Sequence, residues 1–363
     1  MNEHEACLIL NAIDVGNLRL RRMIGYFGSA ARVLGLGKDV LQAEAGLPSD
    51  TARKISEFPK DKFLKSEYNL ITQNKITLVL EKDGLYPAQL KEIPDAPVVL
   101  YARGDLRVCR PLSLAVVGSR LASVYGMSMA ERFSVRLAEM GITIVSGMAR
   151  GIDTAAHRGA LRAGGSTAAV LGSGLACVYP PENKPLFERI AATGVVISEF
   201  PMQAQPMPYN FPRRNRVISG LSLGVIVVEA AMKSGALLTA KFALEQGREV
   251  FAVPGPVDRP NAKGAHQLLK EGAKLAGCVE DILEELAPQM RECLKEPQPA
   301  PEQAAGGNRI LKYLGPEPVH VDALSEKSGL SGPDLLPALL DLELQRQVKQ
   351  LPGKFFVRAS KGS

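Results

Sequence analysis

The hydrophobic pattern of the chain changes character near residue 114. From there, short apolar runs recur at 114–117, 143–145, 167–171, 195–197, 225–228 and 250–253, each followed by a stretch of helical periodicity. Runs rich in Val, Ile and Ala without polar alternation mark strands covered on both faces, as in a parallel sheet. Strand and helix in strict succession predict a doubly wound, Rossmann-like α/β domain. Upstream, residues 6–58 place apolar side chains at three-to-four spacing with breaks at Gly28, Gly35 and Gly37, which predicts a small helical domain. Residues 66–105 alternate short apolar runs with turns such as Lys82-Asp83-Gly84 and read as edge strands or cover for the main sheet. After Glu280 the helical pattern fades into a Pro-, Ala-, Gln- and Gly-rich run at 295–307, a linker composition. Beyond it, 308–314, 320–328 and 331–345 predict three short helices, followed by a turn at 349–352 and a strand at 354–357, which is winged-helix order. The expected divisions are helical 1–65, Rossmann-like 66–288, linker 289–307 and winged helix 308–363.

Ligands of doubly wound sheets bind beyond the carboxyl ends of the strands. Those ends carry Gly118-Ser119-Arg120, Ser146-Gly147-Met148-Ala149-Arg150-Gly151, Gly172-Ser173-Gly174, Ser198-Glu199, Glu229 followed by Lys233-Ser234-Gly235, and Pro254-Gly255-Pro256. Glycine at such ends lets backbone turn or approach a ligand closely. Arg120, Arg150, Lys184, Arg213, Arg214, Arg216 and Lys233 all fall at or beyond this rim. Predicted helices over 211–223 and 234–246 begin at two of these clusters, where free N–H groups and the helix dipole favour anions. Three arginines within four residues suit a row of phosphates better than one carboxylate. Tyr179, Phe187, Tyr209 and Phe211 border the cations, Phe187 at core spacing. Rings beside basic residues favour single-stranded nucleic acid, whose base faces are open to stacking.

Composition narrows the classes. The chain has 363 residues and a formal net charge of +6, with a pI near 9.0 and mean hydropathy close to zero, which fits a globular protein with polyanionic partners. Five scattered cysteines without a C-x-x-C pair indicate neither a disulfide framework nor zinc, and point to a reducing cytoplasm. The four dispersed histidines show no metal-ligand spacing, so no metal or cofactor is expected. The polar, acidic residues 1–6 are unlike a secretory signal, and no run approaches the ~18 apolar residues of a membrane span. No G-x-x-x-x-G-K-[ST] occurs, Gly172-Ser173-Gly174 lacks the third glycine of a dinucleotide site, and Ser222 in Gly220–Gly224 follows a helix where a hydrolase elbow needs a strand.

Asp153 and His157 lie four apart on one predicted helix and could form an acid–base pair; a helix-capping Asp153 with His157 bonded to it or to nearby backbone is the reading we favour. Glu199 and Glu229 are expected to orient arginines. Asp14-Val15-Gly16-Asn17, followed by arginines, hints at a helix–hairpin–helix, although Asp14 would repel a phosphate there, and a packing or dimerisation module is the preferred reading. In the winged helix, the predicted third helix carries Asp334, Asp341 and Glu343 and no base before Arg346, which opposes duplex contact and favours a protein-contact or dimer role.

The runs Val116-Val117-Gly118-Ser119-Arg120, Ser146 to Asp153 with Ala156-His157, Tyr179-Pro180 with Asn183-Lys184, Ser198-Glu199, Arg214-Asn215-Arg216, Val228-Glu229-Ala230 with Ser234-Gly235, and Val253-Pro254-Gly255 closely resemble, in this order, the DprA/Smf family of DNA-processing proteins. The resemblance is densest over 85–276, and the SAM-like N-terminal part and the C-terminal winged helix also look like those of longer members. It implies a non-catalytic protein of natural transformation that binds and protects incoming single-stranded DNA and helps load the RecA recombinase, usually as a homodimer. It also implies a site in which Gly118, Ser119 and Arg120 hold backbone phosphate, Lys184 contacts a neighbouring phosphate, Arg214 and Arg216 line the pocket with Asn215 fixing the loop, and Lys233 extends it. On that reading, replacing Arg120 and Arg214 together costs binding and leaves the fold intact. A nucleotide or phosphosugar hydrolase using the same rim is the alternative, and a duplex-binding regulator acting through the winged helix is a third reading.

Overall fold

The structure, a computed structural model, describes residues 1–109, 111–295, 310–315, 317–344, 347–351 and 353–358. Nine strands form the central sheet: β1 (Thr77–Leu80), β2 (Val99–Gly104), β3 (Ser113–Val117), β4 (Thr143–Ser146), β5 (Thr167–Val170), β6 (Val195–Ser198), β7 (Gly224–Val227), β8 (Glu249–Ala252) and β9 (Lys274–Leu275). Their order is β1-β2-β6-β5-β4-β3-β7-β8-β9. From β6 to β9 all neighbours are parallel, while β2 runs antiparallel to β6 and β1 to β2. Strands β3 to β7 are buried along their whole length, as their mainly apolar sequences, with Ser or Thr only at the strand ends, require. The chain leaves β3 in one direction through β4, β5 and β6, then crosses back to place β7 on the other side of β3. That reversal opens a crevice at the carboxyl ends of β3 and β7.

Helices cover both faces. Val124–Glu139, Ile152–Arg162 and Val279–Lys295 pack on one, through Phe133, Leu137, Ile152, Ile282 and Leu286 against Leu114, Val116 and Ile226. Asn210–Gly220, Gly235–Glu245 and Lys263–Lys270 pack on the other, through Val217, Ile218, Ala240 and Leu268 against Ala115, Val225 and Val250.

The N-terminal helices are more tightly joined to this body than the apolar pattern implies. Leu8, Ile9, Leu10 and Ile55 share one core cluster with Val99, Tyr101, Phe187 and Val196. Lys60–Gln73 is one continuous helix, so a division between residues 65 and 66 would cut through it. Inside that helix the Glu67 carboxylate is buried, accepting from the Tyr101 hydroxyl at 2.7 Å and the Met202 amide at 2.9 Å. The helix Val279–Lys295 likewise occupies 289–295, the beginning of the expected linker; residues 296–309, the rest of it, lie outside the described residues.

The C-terminal part folds around Ile310, Leu324, Leu335, Leu339 and Phe356, with helices Val321–Ser328 and Gly332–Leu344 and the strands β10 (Val319–His320), β11 (Val348–Leu351) and β12 (Phe355–Arg358). The turn expected at 349–352 is strand β11, paired antiparallel with β12; the reversal comes at Gly353 and Lys354, both at positive φ. Pro337 lies inside its helix and packs against Gly141, and Lys354 Nζ stands 3.7 Å from Glu139, which seats the winged helix on the end of Val124–Glu139. Arg346 lies outside the described residues.

Candidate nucleic-acid interface

Helix Asn210–Gly220 crosses from β6 to β7 and presents two faces at its start. Phe211 and Arg214, three residues apart, face a crevice at the ends of β3, β4 and β5 that Arg120, Gly147, Arg150, Gly172 and Tyr179 also line. Arg213 and Arg216 face the other way. Helical spacing therefore separates the arginine cluster into two environments.

Arg214 is buried, 4 % exposed. Its Nη1 donates to the Gly147 carbonyl at 2.6 Å and to the Val170 carbonyl, and its Nε donates to Asn215 Oδ1 at 3.2 Å. Burial pulls its pKa down to about 10, partly opposed by the nearby Asp153 carboxylate. The expectation that Arg214 can be replaced without consequence for the fold is therefore corrected: it ties together the ends of β4 and β5 from beneath the crevice. Gly147 is required by this packing, since a Cβ there would stand 2.6 Å from the guanidinium, and Gly172 would meet the Phe211 ring at 2.8 Å. These glycines make room for protein side chains.

Arg120 is exposed and lies over the Phe211 ring, 4.9 Å from its centroid, while Tyr179 flanks the same ring at 5.8 Å. The exposed cation and the two half-buried rings thus form one layer above the buried Arg214. The loop beneath Arg120 is fixed: Ser119 donates its amide to the Glu229 carbonyl at 2.7 Å and accepts from Ile152 N at 3.2 Å, and Ile152 leaves no room for a Cβ at Gly118. Ser119 Oγ accepts from the Leu121 amide at 3.1 Å.

Lys184 and Lys233 are exposed, on segments that begin after Asn183 and before Gly235, and neither is among the residues that line the crevice. Asn183 anchors the first, its Nδ2 donating to the Met148 carbonyl and to Thr154 Oγ1, both at 2.8 Å. Met148 is buried at φ 54, a strained conformation for a non-glycine residue, and Asn183 helps to hold it. Asn215 anchors the second, its Nδ2 donating to the Gly235 carbonyl at 3.2 Å. Arg150 is paired with Glu182 on the outer lip.

Arg216 does not line this crevice. Its guanidinium, 4 % exposed, bonds Glu199 Oε2 at 2.5 Å and Asp95 Oδ2 at 2.9 Å. Glu199 orients an arginine as expected; Glu229 does not, and instead accepts from Ser123 N at 2.9 Å and Ser123 Oγ at 2.5 Å, fixing the start of helix Val124–Glu139. Asp153 accepts from the Ala149 amide at 3.3 Å, and burial raises its pKa. His157 bonds neither Asp153 nor backbone but Thr167 Oγ1 at 2.7 Å. Because the Thr167 hydroxyl donates to the Ile144 carbonyl, Nδ1 of His157 must carry the proton. Burial pushes its pKa down to about 3. The carboxylates at the rim are thus committed to structure.

Asp14, at φ 62 in the hairpin between helices Glu3–Ala12 and Asn17–Phe27, grips Arg213 in a fork at 2.9 and 3.0 Å. Asn17 completes the seat, donating to Glu199 Oε2 at 2.9 Å and accepting from the Val98 amide at 3.1 Å. The hairpin is a packing device, and its carboxylate neutralises a cation rather than repelling phosphate from an empty turn. The exposed Arg19, Arg22 and Tyr26 on the following helix escaped the sequence reading; their signal is i, i+3, i+7 spacing on a helix rich in arginine.

Comparison with known proteins gives the family and the fold. The family model "DNA recombination-mediator protein A" matches residues 77–287 and the DprA winged helix domain matches 295–354. Protein Smf of Escherichia coli is 41% identical over 323 residues, covering 87% of this chain and 86% of that protein. DNA processing protein DprA of Streptococcus pneumoniae is 47% identical over 203 residues, 56% of this chain and 72% of that one. The crystal structure of the pneumococcal protein superposes with a TM-score of 0.69 at 36% identity, covering 78% of this chain and 98% of that chain. DNA processing protein A of Helicobacter pylori, whose structure is described for its single-stranded DNA binding mode, gives 0.54 at 27% identity over 59% of this chain and 96% of its own. With a doubly wound sheet, a winged helix and matches along most of its length, the chain belongs to the DprA/Smf family of DNA-processing, recombination-mediator proteins.

Proposed function

We propose that the protein binds single-stranded DNA at the crevice and acts as a mediator that protects the strand and delivers it to the RecA recombinase, without catalysing a reaction of its own. The observation that carries the reading is the exposed Arg120 stacked on Phe211 beside Tyr179, a cation and two half-buried rings in one layer. Phosphates meet Arg120, Lys184 and Lys233, and bases meet the rings; this chemistry favours single strands with little sequence selectivity. Gly118 and Ser119 shape the loop that presents Arg120, Asn215 holds the Lys233 turn, and Arg214 and Arg216 support from below. The rim carboxylates Asp153, Glu199 and Glu229 are buried and each is bonded to a structural partner, which supports binding over hydrolysis. Among the described residues no helix is long and apolar enough to cross a membrane, and we place the protein in the cytoplasm with its DNA. A second copy of the chain is the proposed partner for the outer edge of β9, where Leu275 is 55% exposed.

The test is binding of a labelled oligo-dT by Arg120→Ala and Lys184→Ala variants. Each should bind roughly 10- to 150-fold more weakly, as a charge-assisted contact contributes roughly 1.5–3 kcal/mol. Wild-type affinity in both would remove the crevice from the DNA path. Stimulated RecA assembly on single strands, scored separately, tests the delivery step.

A further inference from the structure

A cleft of about 940 Å³ lies along the other face of helix Asn210–Gly220, between it and helix Asn17–Phe27. On the N-terminal wall Arg19, Arg22 and Tyr26 share one exposed face, and Tyr26 is 71% exposed. Neither Arg19 nor Arg22 forms an ion pair among the described residues. The opposite wall carries Arg213 and Arg216. Of the carboxylates in the lining, Asp14 is taken up by Arg213 and Asp95 by Arg216, which leaves Glu44 against two free arginines. Val15, Met23 and Phe27 give an apolar floor. Unpaired guanidinium groups, an open ring and an apolar floor in one channel are the elements that hold a single strand, with phosphates on the arginines and a base on the ring. The cleft and the crevice share no lining residue but flank the start of one helix: Phe211 and Arg214 face the crevice, Arg213 and Arg216 the cleft, and Tyr209, 60% exposed, stands at the start of the helix between them.

We propose that the cleft is a second segment of the DNA path, receiving the nucleotides of a single strand that leave the crevice, with Arg22 and Arg19 as phosphate ligands and Tyr26 as a stacking platform. This inference rests on the crevice reading and extends it. The free N–H groups at the uncapped start of helix Asn17–Phe27 add donors at the same wall.

The experiment compares the full chain with an Arg19→Gln/Arg22→Gln/Tyr26→Ala variant on labelled oligo-dT of about 6 and about 25 nucleotides, the shorter able to fill one site only. The expected result is unchanged affinity for the short strand, about tenfold weaker binding of the long one, and a salt slope for the long strand shallower by about 1.4, or ~0.7 for each arginine lost. Glu44→Gln, which removes the one opposing carboxylate, should tighten the long strand two- to threefold and leave the short one alone. Equal affinity of wild type and triple variant for both lengths would overturn the proposal while leaving the crevice reading standing. Equal weakening at both lengths would also overturn it. Failure of wild type to bind either strand would sink the crevice reading itself. Tighter binding of poly-glutamate than of the long strand, lost in the triple variant, would give the cleft to an acidic protein segment instead.

Discussion

Replacing Arg214 by alanine separates support from contact at this site. The guanidinium donates to two carbonyls at the ends of β4 and β5, and hydrogen bonds from a charged group contribute roughly 1.5–3 kcal/mol each, or about 3–6 together. Against this stands the cost of burying the charge. A pKa pulled from the ordinary arginine value down to about 10 corresponds to roughly 3 kcal/mol at 1.36 per unit. The side chain by itself is thus only modestly stabilising. What makes its removal expensive is what stays behind: two buried carbonyls without donors, at roughly 1–3 kcal/mol each, and a cavity beside Gly147 and Asp153. We expect Arg214→Ala to lose about 2–5 kcal/mol of stability, with weakened DNA binding as a consequence. Arg120→Ala, by contrast, should stay within about 0.5 kcal/mol of wild type because Arg120 is exposed, yet lose most of the affinity. Urea unfolding followed by far-UV circular dichroism, beside oligonucleotide anisotropy on the same samples, reads both quantities. An Arg214→Ala protein as stable as wild type but unable to bind would refute the structural assignment.

Three further outcomes follow from the geometry. His157 has a folded pKa near 3 against 6.5 when unfolded, so below pH 6.5 only the unfolded chain takes up its proton. The stability it leaves in place above that pH, about 5 kcal/mol by linkage, is lost as pH falls toward 3, and His157→Asn should flatten that limb in pH-dependent urea titrations. Asp14→Asn, which suits the positive φ, frees Arg213 and should tighten single-strand binding two- to fivefold, the scale of an exposed ion pair; weaker binding would mean that the hairpin itself contacts DNA. Deleting residues 308–363 should leave single-strand affinity within twofold, because the crevice is built wholly from residues before that point; loss of binding by the truncated chain would move the interface to the winged helix.

Much of this architecture can be read along the chain because burial on both faces leaves an unambiguous trace. Each run from 114–117 to 250–253 is a strand in the structure, displaced by a residue or two at most. The rim was equally legible in kind, since the glycines and basic residues do gather at the strand ends. Its division was not. Arg214 and Arg216 differ by two residues, which on a helix means different faces, and only packing reveals that one anchors strand ends and the other answers Glu199 and Asp95. Likewise, the single core joining Leu8 to Tyr101 and Val196 leaves no periodic signal, because its contacts span nearly 200 positions of sequence. Asp14 looked hostile to phosphate in isolation, and its partner Arg213 is 199 residues away.

The most direct test of the central claim is a competition between a single strand and a duplex of the same sequence, by fluorescence anisotropy over a salt series. With Arg120 lining the crevice, Lys184 and Lys233 proposed to extend it, and none of the three in an ion pair among the described residues, a short single strand should bind in preference to duplex, and log affinity should fall with log salt at a slope of about −2, or ~0.7 per phosphate neutralised. Preference for duplex, or an affinity insensitive to salt, would contradict a crevice that holds single-stranded DNA by its phosphates.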